Sequence, residues 1–226
     1  LGGSGHGVYI TGAWQGSAIT ASGTDPVTGQ ARVSTITTTN GAGVYFSAIN
    51  LETPSALFQN TVIYNCTSNA IHLDADQISY TGTPGSNRVQ AVLMNCTVAD
   101  NAGDGLHMVS ATAGSYAAVT NCVFMNNGGQ GVNLTGATGA FTCPEGYNVF
   151  YNDDILTNAA VQALDATSSP ADPLFFLRKT VPDPWYKISS RMSPAYRSGF
   201  DGSNRGAYQT EALAPKGTVV TIIGGD

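Results

Sequence analysis

One short pattern returns five times along this chain: Gly7-Val8-Tyr9-Ile10, Gly43-Val44-Tyr45-Phe46, Ala70-Ile71-His72-Leu73, Gly105-Leu106-His107-Met108 and Gly131-Val132-Asn133-Leu134. A small residue, an apolar one, a variable one and a second apolar one, spaced by roughly thirty residues, describe a coil that climbs one turn per repeat. Such a coil lays equivalent side chains on top of one another and has little freedom to do anything else. The repeat is longer than the tetrapeptide. Asn60 to Leu73 (NTVIYNCTSNAIHL), Asn95 to Met108 (NCTVADNAGDGLHM) and Asn121 to Leu134 (NCVFMNNGGQGVNL) align without a gap, and a degenerate copy follows at Tyr147 to Asp153. Between equivalent apolar positions the turns measure 36, 27, 35 and 26 residues. Turns of that length are too long for a hexapeptide coil and predict a right-handed coil with three strands per turn.

The fold class expected is therefore all-β: a right-handed parallel β-helix with turns of 26–36 residues and an irregular C-terminal capping segment. Residues 1–157 are read as the rungs, and 158–226 as final rungs and cap. The first copy is only half present, since Gly7 to Ala13 (GVYITGA) matches Gly131 to Ala137 (GVNLTGA) with six residues before it. This reads as a domain that starts in mid-turn and belongs to something longer, so the lack of a visible signal peptide carries no information. From Leu156 the periodicity fails, and Asn158 to Ala171 has no repeat register. There Leu174, Phe175, Phe176, Trp185 and Tyr186 are expected to cover the open end of the core.

Composition supports the coil and narrows the partners. Charged residues are 11% of the chain, against about a quarter in an ordinary domain; Gly, Ser, Thr and Asn, which suit tight turns and pleated surfaces, take their place. Up to Leu177 there are eleven acids against Arg32 and Arg88, about −9, and beyond it seven bases against four acids, about +3. An acidic coil does not attract nucleic acid or an anionic polysaccharide. No apolar run of 18 residues is present, which speaks against membrane insertion. The partners expected are a neutral polysaccharide, another surface or virion protein, or further copies of the chain, at an extracellular, cell-surface or virion location. No cofactor and no metal are expected.

The C-terminal part carries a further signature: Asp172-Pro173-Leu174-Phe175, then Ser193-Pro194-Ala195, then Gly199, then Arg205-Gly206-Ala207-Tyr208. With the N-C-T and G-V/L-x-L rungs, this resembles bacterial and phage right-handed parallel β-helix proteins, the pectate-lyase-like superfamily, over essentially the whole chain. The resemblance implies the fold but not one function, because lyases, hydrolases, epimerases, tailspikes, adhesins and inert modules share it. Relatives commonly carry an Asp shortly after the SPA, where this chain has Tyr196-Arg197-Ser198.

On a strand, alternate residues share a face, so with Val8, Val44, Ile71, Leu106 and Val132 inside, Tyr9, Tyr45, His72, His107 and Asn133 form an outer ladder. If the strand at Ile71 runs on, His72, Asp74 and Asp76 share that face beside Tyr45 and His107. This is the candidate catalytic set: paired carboxylates act as acid and base on a glycosidic bond, and His shuttles protons near neutral pH. Two insertions, placed after Ile10 and after Leu73, are expected to leave one side of the coil and to carry Trp14 and Tyr80. Tyr9, Trp14, Tyr45, Tyr80, His107 and Arg88 form the candidate binding set, with flat rings to support a sugar face. The plainer reading ranks first: outer ladders stack without any ligand. A lyase needs a base beside acidic ligands, and only Arg88 with Asp74 and Asp76 offers that. A metal on His72, Asp74 and His107 lacks a specific spacing.

Asn60, Asn95 and Asn121, like Asn65/Asp100/Asn126 and Asn69/Asp104/Gln130, are read as structural turn residues. Three glycosylation sequons are what an Asn- and Thr-rich repeat gives by composition. Cys96 and Cys122 stack one rung apart, and all four cysteines are expected as packed free thiols, since stacked parallel side chains rarely meet the dihedral of a disulfide. Two functions follow: a non-catalytic spacer, decoration or adhesin that contacts glycan through the insertion face, or a polysaccharide-degrading hydrolase or lyase of tailspike type using Asp74 and Asp76.

Overall fold

The computed structural model describes residues 8–12, 18–22, 34–37, 40–49, 55–77, 89–110, 115–136, 141–157, 160–175, 186, 188, 191–207 and 219–221. The strands stack into three sheets. The first runs β1 (Val8–Gly12), β4 (Val44–Ile49), β7 (Ile71–Gln77), β10 (Leu106–Ser110), β13 (Val132–Gly136), β17 (Ile155–Thr157) and β18 (Ala160–Val161). The second holds β2 (Ala18–Ser22), β5 (Ser55–Gln59), β8 (Gln90–Met94), β11 (Ser115–Thr120) and β14 (Phe141–Thr142), with β15 (Glu145–Gly146) also paired to β11. The third holds β19 (Val219–Thr221), β3 (Ser34–Thr37), β6 (Thr61–Tyr64), β9 (Thr97–Ala99), β12 (Val123–Met125) and β16 (Val149–Tyr151). All pairings are parallel except β17 with β18. Val8, Val44, Ile71, Leu106 and Val132 pair in series, as the repeat requires.

The Asn-rich positions make the corners. Second-sheet and third-sheet strands are joined through Asn60, Asn95, Asn121 and Tyr147, and the third sheet ends at Asn65, Asp100, Asn126 and Asn152; all eight have φ between 50° and 58°. Asn and Asp tolerate this left-handed region better than other side-chain-bearing residues, so a single residue there bends the chain sharply between sheets. The next position forms a buried polar column. Asn101 donates from Nδ2 to Asn127 Oδ1 at 2.8 Å, and Asn127 from Nδ2 to Asp153 Oδ2 at 2.7 Å, while the Cys66 amide donates to Asn101 Oδ1 at 3.0 Å. Burial pushes the Asp153 carboxyl up to about 7 against the pull of its Asn127 bonds.

Inside, the rungs stack like with like: Phe124 lies 4.9 Å from Phe150 with rings 3° apart. At Gly105 the repeat opens on glycine because a Cβ there would meet the Gly131 carbonyl at 2.5 Å. Cys66, Cys96, Cys122 and Cys143 are buried thiols outside any disulfide. Burial pushes the Cys143 thiol up to about 12, with the charge of Glu145 adding to it.

Three expectations need correction. First, the insertions do not follow the same strand. Ala18–Ser22 is itself a strand paired to β5, so the extra residues of the first turn lie at 23–33, between second and third sheets, whereas those of the third turn lie at 78–89, between first and second. AITAS has too little bulk to stand out from the Gly/Ser/Thr-rich sequence around it. Second, the stretch read as lacking repeat register keeps one rung contact: Val149 bridges Ser169 in parallel, the Phe150 amide donates to Ser169 O at 2.9 Å, and Leu164 packs on the main core.

Third, among the described residues Phe175 and Tyr186 cover the flank of the coil, while Val219–Thr221 from the same C-terminal segment adds the edge strand beside β3. Tyr186, Ala195 and Ala207 bury the outward residues Val62, Tyr64, Ala99, Val123, Met125 and Val149 of the third sheet, with Phe175 and Ile188 beside them. Phe176 and Trp185 lie outside the described residues. The signature residues hold this strap. Arg205 donates from Nη1 to Asn148 O at 2.7 Å, the Gly206 amide to Asn121 O at 2.8 Å, and the Ala207 amide to Thr97 Oγ1 at 3.0 Å, one rung lower each time. Gly206 has φ 92°, and a Cβ there would sit 2.7 Å from Thr97 Oγ1. Ser193 Oγ donates to Pro173 O, joining the SPA to the DPLF.

Candidate functional site

The first sheet presents the outer ladder in register, with Tyr9, Tyr45, His72, His107 and Asn133 as successive partners. Tyr45 stacks on His72 at 4.8 Å with planes 10° apart, and His72 meets His107 edge-on at 4.9 Å and 69°. The ring face that Tyr45 turns toward His72 is therefore covered by His72, and stacking along the coil axis leaves ring edges toward solvent. The Tyr9 side chain lies outside the described residues.

Asp74 is half-buried on β7, opposite Ser47 and Val109. Beyond it the register shifts, so that Ile49 pairs with Gln77 through a bulge. The strand does continue through Asp76, and the bulge falls within this stretch. The Asp76 side chain, Trp14, Tyr80 and Arg88 lie outside the described residues; Trp14 and Tyr80 both belong to connections from first to second sheet.

The carboxylate that reaches the histidines is Asp104, from the turn before β10. Its Oδ2 lies 3.4 Å from His107 Nδ1, and it is 8% exposed. Oδ1 accepts from the Gln130 amide at 2.7 Å and Oδ2 from Asn133 Nδ2 at 3.0 Å. One rung below, Asn69 does the same work with an amide. Its Oδ1 accepts from the Asp104 amide at 2.8 Å, and its Nδ2 lies 3.0 Å from His72 Nδ1 and 3.2 Å from His107 Nδ1. Because a backbone N–H can only donate, Oδ1 is fixed as the acceptor and Nδ2 as the donor. Both Nδ1 atoms then accept, which assigns the neutral Nε2–H tautomer to both imidazoles. Such rings carry N–H groups, not lone pairs, on the edge away from Asn69, the reverse of what metal ligation at Nε2 requires. Among the described residues no three His, Cys, Asp or Glu side chains converge as a metal site.

Sequence reasoning set Asp104 aside because Asn and Gln fill its place in sister repeats. The signal that finds it is the i, i+3 spacing from corner to ladder, present as Asn69/His72, Asp104/His107 and Gln130/Asn133.

A family model described as "Right handed beta helix region" matches residues 3–168. No curated protein and no solved structure matches the chain.

Proposed function

Since the chain belongs to the right-handed β-helix family, we propose that it serves as a non-catalytic module: a spacer, decoration or adhesin outside the cell or on a virion. Its partner is a neutral glycan or another surface protein, met at the ladder and at the corner that carries Trp14 and Tyr80. The observation that supports this most is the pairing of the polar groups at the ladder with one another. Asn69 holds both imidazoles, and both oxygens of Asp104 are engaged by the next rung. A carboxylate so held stiffens a corner and lacks the mobility and solvent access of a general acid or base. The low charge of the chain favours a neutral partner over an anionic one.

A second reading, a polysaccharide-degrading hydrolase or lyase using Asp74 and Asp76, draws support from the bulge beside Asp74, since bulges often re-aim side chains next to active sites. A panel of neutral and acidic polysaccharides, assayed for new reducing ends and unsaturated products, separates the two. The module is expected to release neither while retaining some of the panel on a binding array. Turnover that Asp74→Asn abolishes without loss of fold establishes the enzyme instead.

A further inference from the structure

We propose that Asn69, His72, His107 and Asp104 form a proton-operated lock on the ladder, in which protonation of His107 moves its Nδ1 from Asn69 to Asp104. The device is a property of the coil surface and holds whether or not that surface meets a glycan. In the neutral state one amide serves two imidazoles, since Asn69 Nδ2 lies 3.0 Å from His72 Nδ1 and 3.2 Å from His107 Nδ1. His107 Nδ1 also lies 3.4 Å from Asp104 Oδ2, where two lone pairs face each other while the ring is neutral. That arrangement is under tension by construction: the acceptor that Asn69 needs is also the atom whose proton Asp104 would bind. A proton on His107 Nδ1 cannot coexist with the Asn69 bond, because two donors would then meet. It converts the repulsive Asp104 contact into a charge-assisted bond, the stronger of the two arrangements.

The titratable and charged groups on the elements around the pair are Tyr45 on β4, Asp74 on β7 and Asp104 before β10, while β13 brings the neutral Asn133. The change is transmitted. Asn69 Oδ1 holds the Asp104 amide and Asp104 Oδ1 holds the Gln130 amide, so the corners of three successive turns are linked through the exchange.

Imidazole nitrogen shifts, read by long-range proton–nitrogen NMR on the whole labelled protein, test this, with His6 as the third histidine in the same spectrum. At pH 8 both His72 and His107 are expected as Nε2–H tautomers. On acidification the Asp104 backbone amide is expected to shift with the same midpoint as His107. Asn69→Asp is expected to turn neutral His72 or His107 to the Nδ1–H tautomer, since the donor becomes an acceptor. An Nδ1–H tautomer for either ring at pH 8 in the unmodified protein overturns the proposal, and that measurement needs no variant to fold. An Asp104 amide blind to the His107 titration overturns it equally.

Discussion

The first and third sheets are built from the same repeat, yet their outer faces follow opposite rules. On the first, strands alternate: in β10 every second residue is buried and His107 and Val109 are half-exposed. On the third, β6, β9 and β12 are buried at every position. The difference comes from what lies outside. The ladder sheet faces solvent and fills its outer row with rings and amides that satisfy one another, whereas the third sheet faces the chain's own C-terminal strap and fills its outer row with Val62, Tyr64, Val123, Met125 and Val149. A strand covered on one side alternates, and a strand covered on both reads as a continuous apolar run. Thr61-Val-Ile-Tyr64 and Val123-Phe-Met125 are such runs, against Ile71-His-Leu73 and Leu106-His-Met108.

The strongest way to break this comparison is to remove the cover. Deleting residues 172–226 retains Leu164, which packs on the core, and the Ser169 bridge to Val149, but removes β19 from the edge of β3 and bares the apolar row of the third sheet. Six outward apolar side chains are involved, and at about 1.5–3 kcal/mol each the loss is on the order of 10–20 kcal/mol as an upper bound. The expected result is aggregated or insoluble protein by size exclusion. A soluble, monomeric, β-rich fragment would show that the third sheet stands in water as the first does.

A single ring should report the same thing on a smaller scale. Tyr186 is 2% exposed, packs edge-on against Tyr64 at 5.8 Å and Phe175 at 5.9 Å, and donates its hydroxyl to Asp100 Oδ2 at 2.8 Å. Burial, with the Asp100 charge behind it, pushes the phenol far above its ordinary range, so it stays a donor at any working pH. Tyr186→Ala is expected to cost about 3–5 kcal/mol in denaturant unfolding, and a loss under 1 kcal/mol would mean that the strap adds little.

These two regions were not equally legible in the sequence. The ladder sheet could be read residue by residue, because a period of two with one wet face leaves its register in the apolar pattern. The strap could be read only as a signature. Its contacts are long-range and aperiodic, and Arg205, Gly206 and Ala207 each address a different rung, so no local pattern shows where they dock. The doubly apolar strands did signal a cover, but the expectation sent the aromatic residues to the end of the coil. At the ladder, the rings and their order were legible while the groups that hold them were not, because Asn69 and Asp104 reach them from the corner rather than from the strand.

The corner column at the third sheet sharpens the comparison through pH. Asp153 continues a column of amides, Asn101 and Asn127, but as a carboxylate it has been pushed up to about 7 by burial, with Asp154 and Asp100 adding to the push. A carboxyl raised on folding binds its proton more tightly in the native state. The stabilising contribution is therefore complete below the unfolded value near 3.8 and is lost as pH rises through about 7. Native stability is expected to increase between pH 8 and pH 5, by about 2–4 kcal/mol at about 1.4 per pH unit. Asp153→Asn, with Oδ1 accepting from Asn127 as Asn127 does from Asn101, is expected to raise stability at pH 8 and to flatten this dependence. Thermal melts across that range check it, and a variant as pH-sensitive as the parent would relocate the titration elsewhere.

The smallest effect should come from the matching ring on the wet face. Tyr45 is half-buried and stacks on His72, with an outer edge that meets solvent in both the folded and unfolded chain. Removing it by Tyr45→Ala takes away the stack on His72, about 0.5–1.5 kcal/mol, and leaves no cavity inside the coil because Val44 and Phe46 point inward on either side. The loss should thus be several-fold below that of Tyr186→Ala measured in the same denaturant. His72 keeps its Asn69 bond when the Tyr45 ring one rung below it is gone, so its tautomer should not change. A Tyr45→Ala cost equal to that of Tyr186→Ala would mean that the first sheet, too, is covered in the protein at work. Its ladder would then have to be read as one half of an interface.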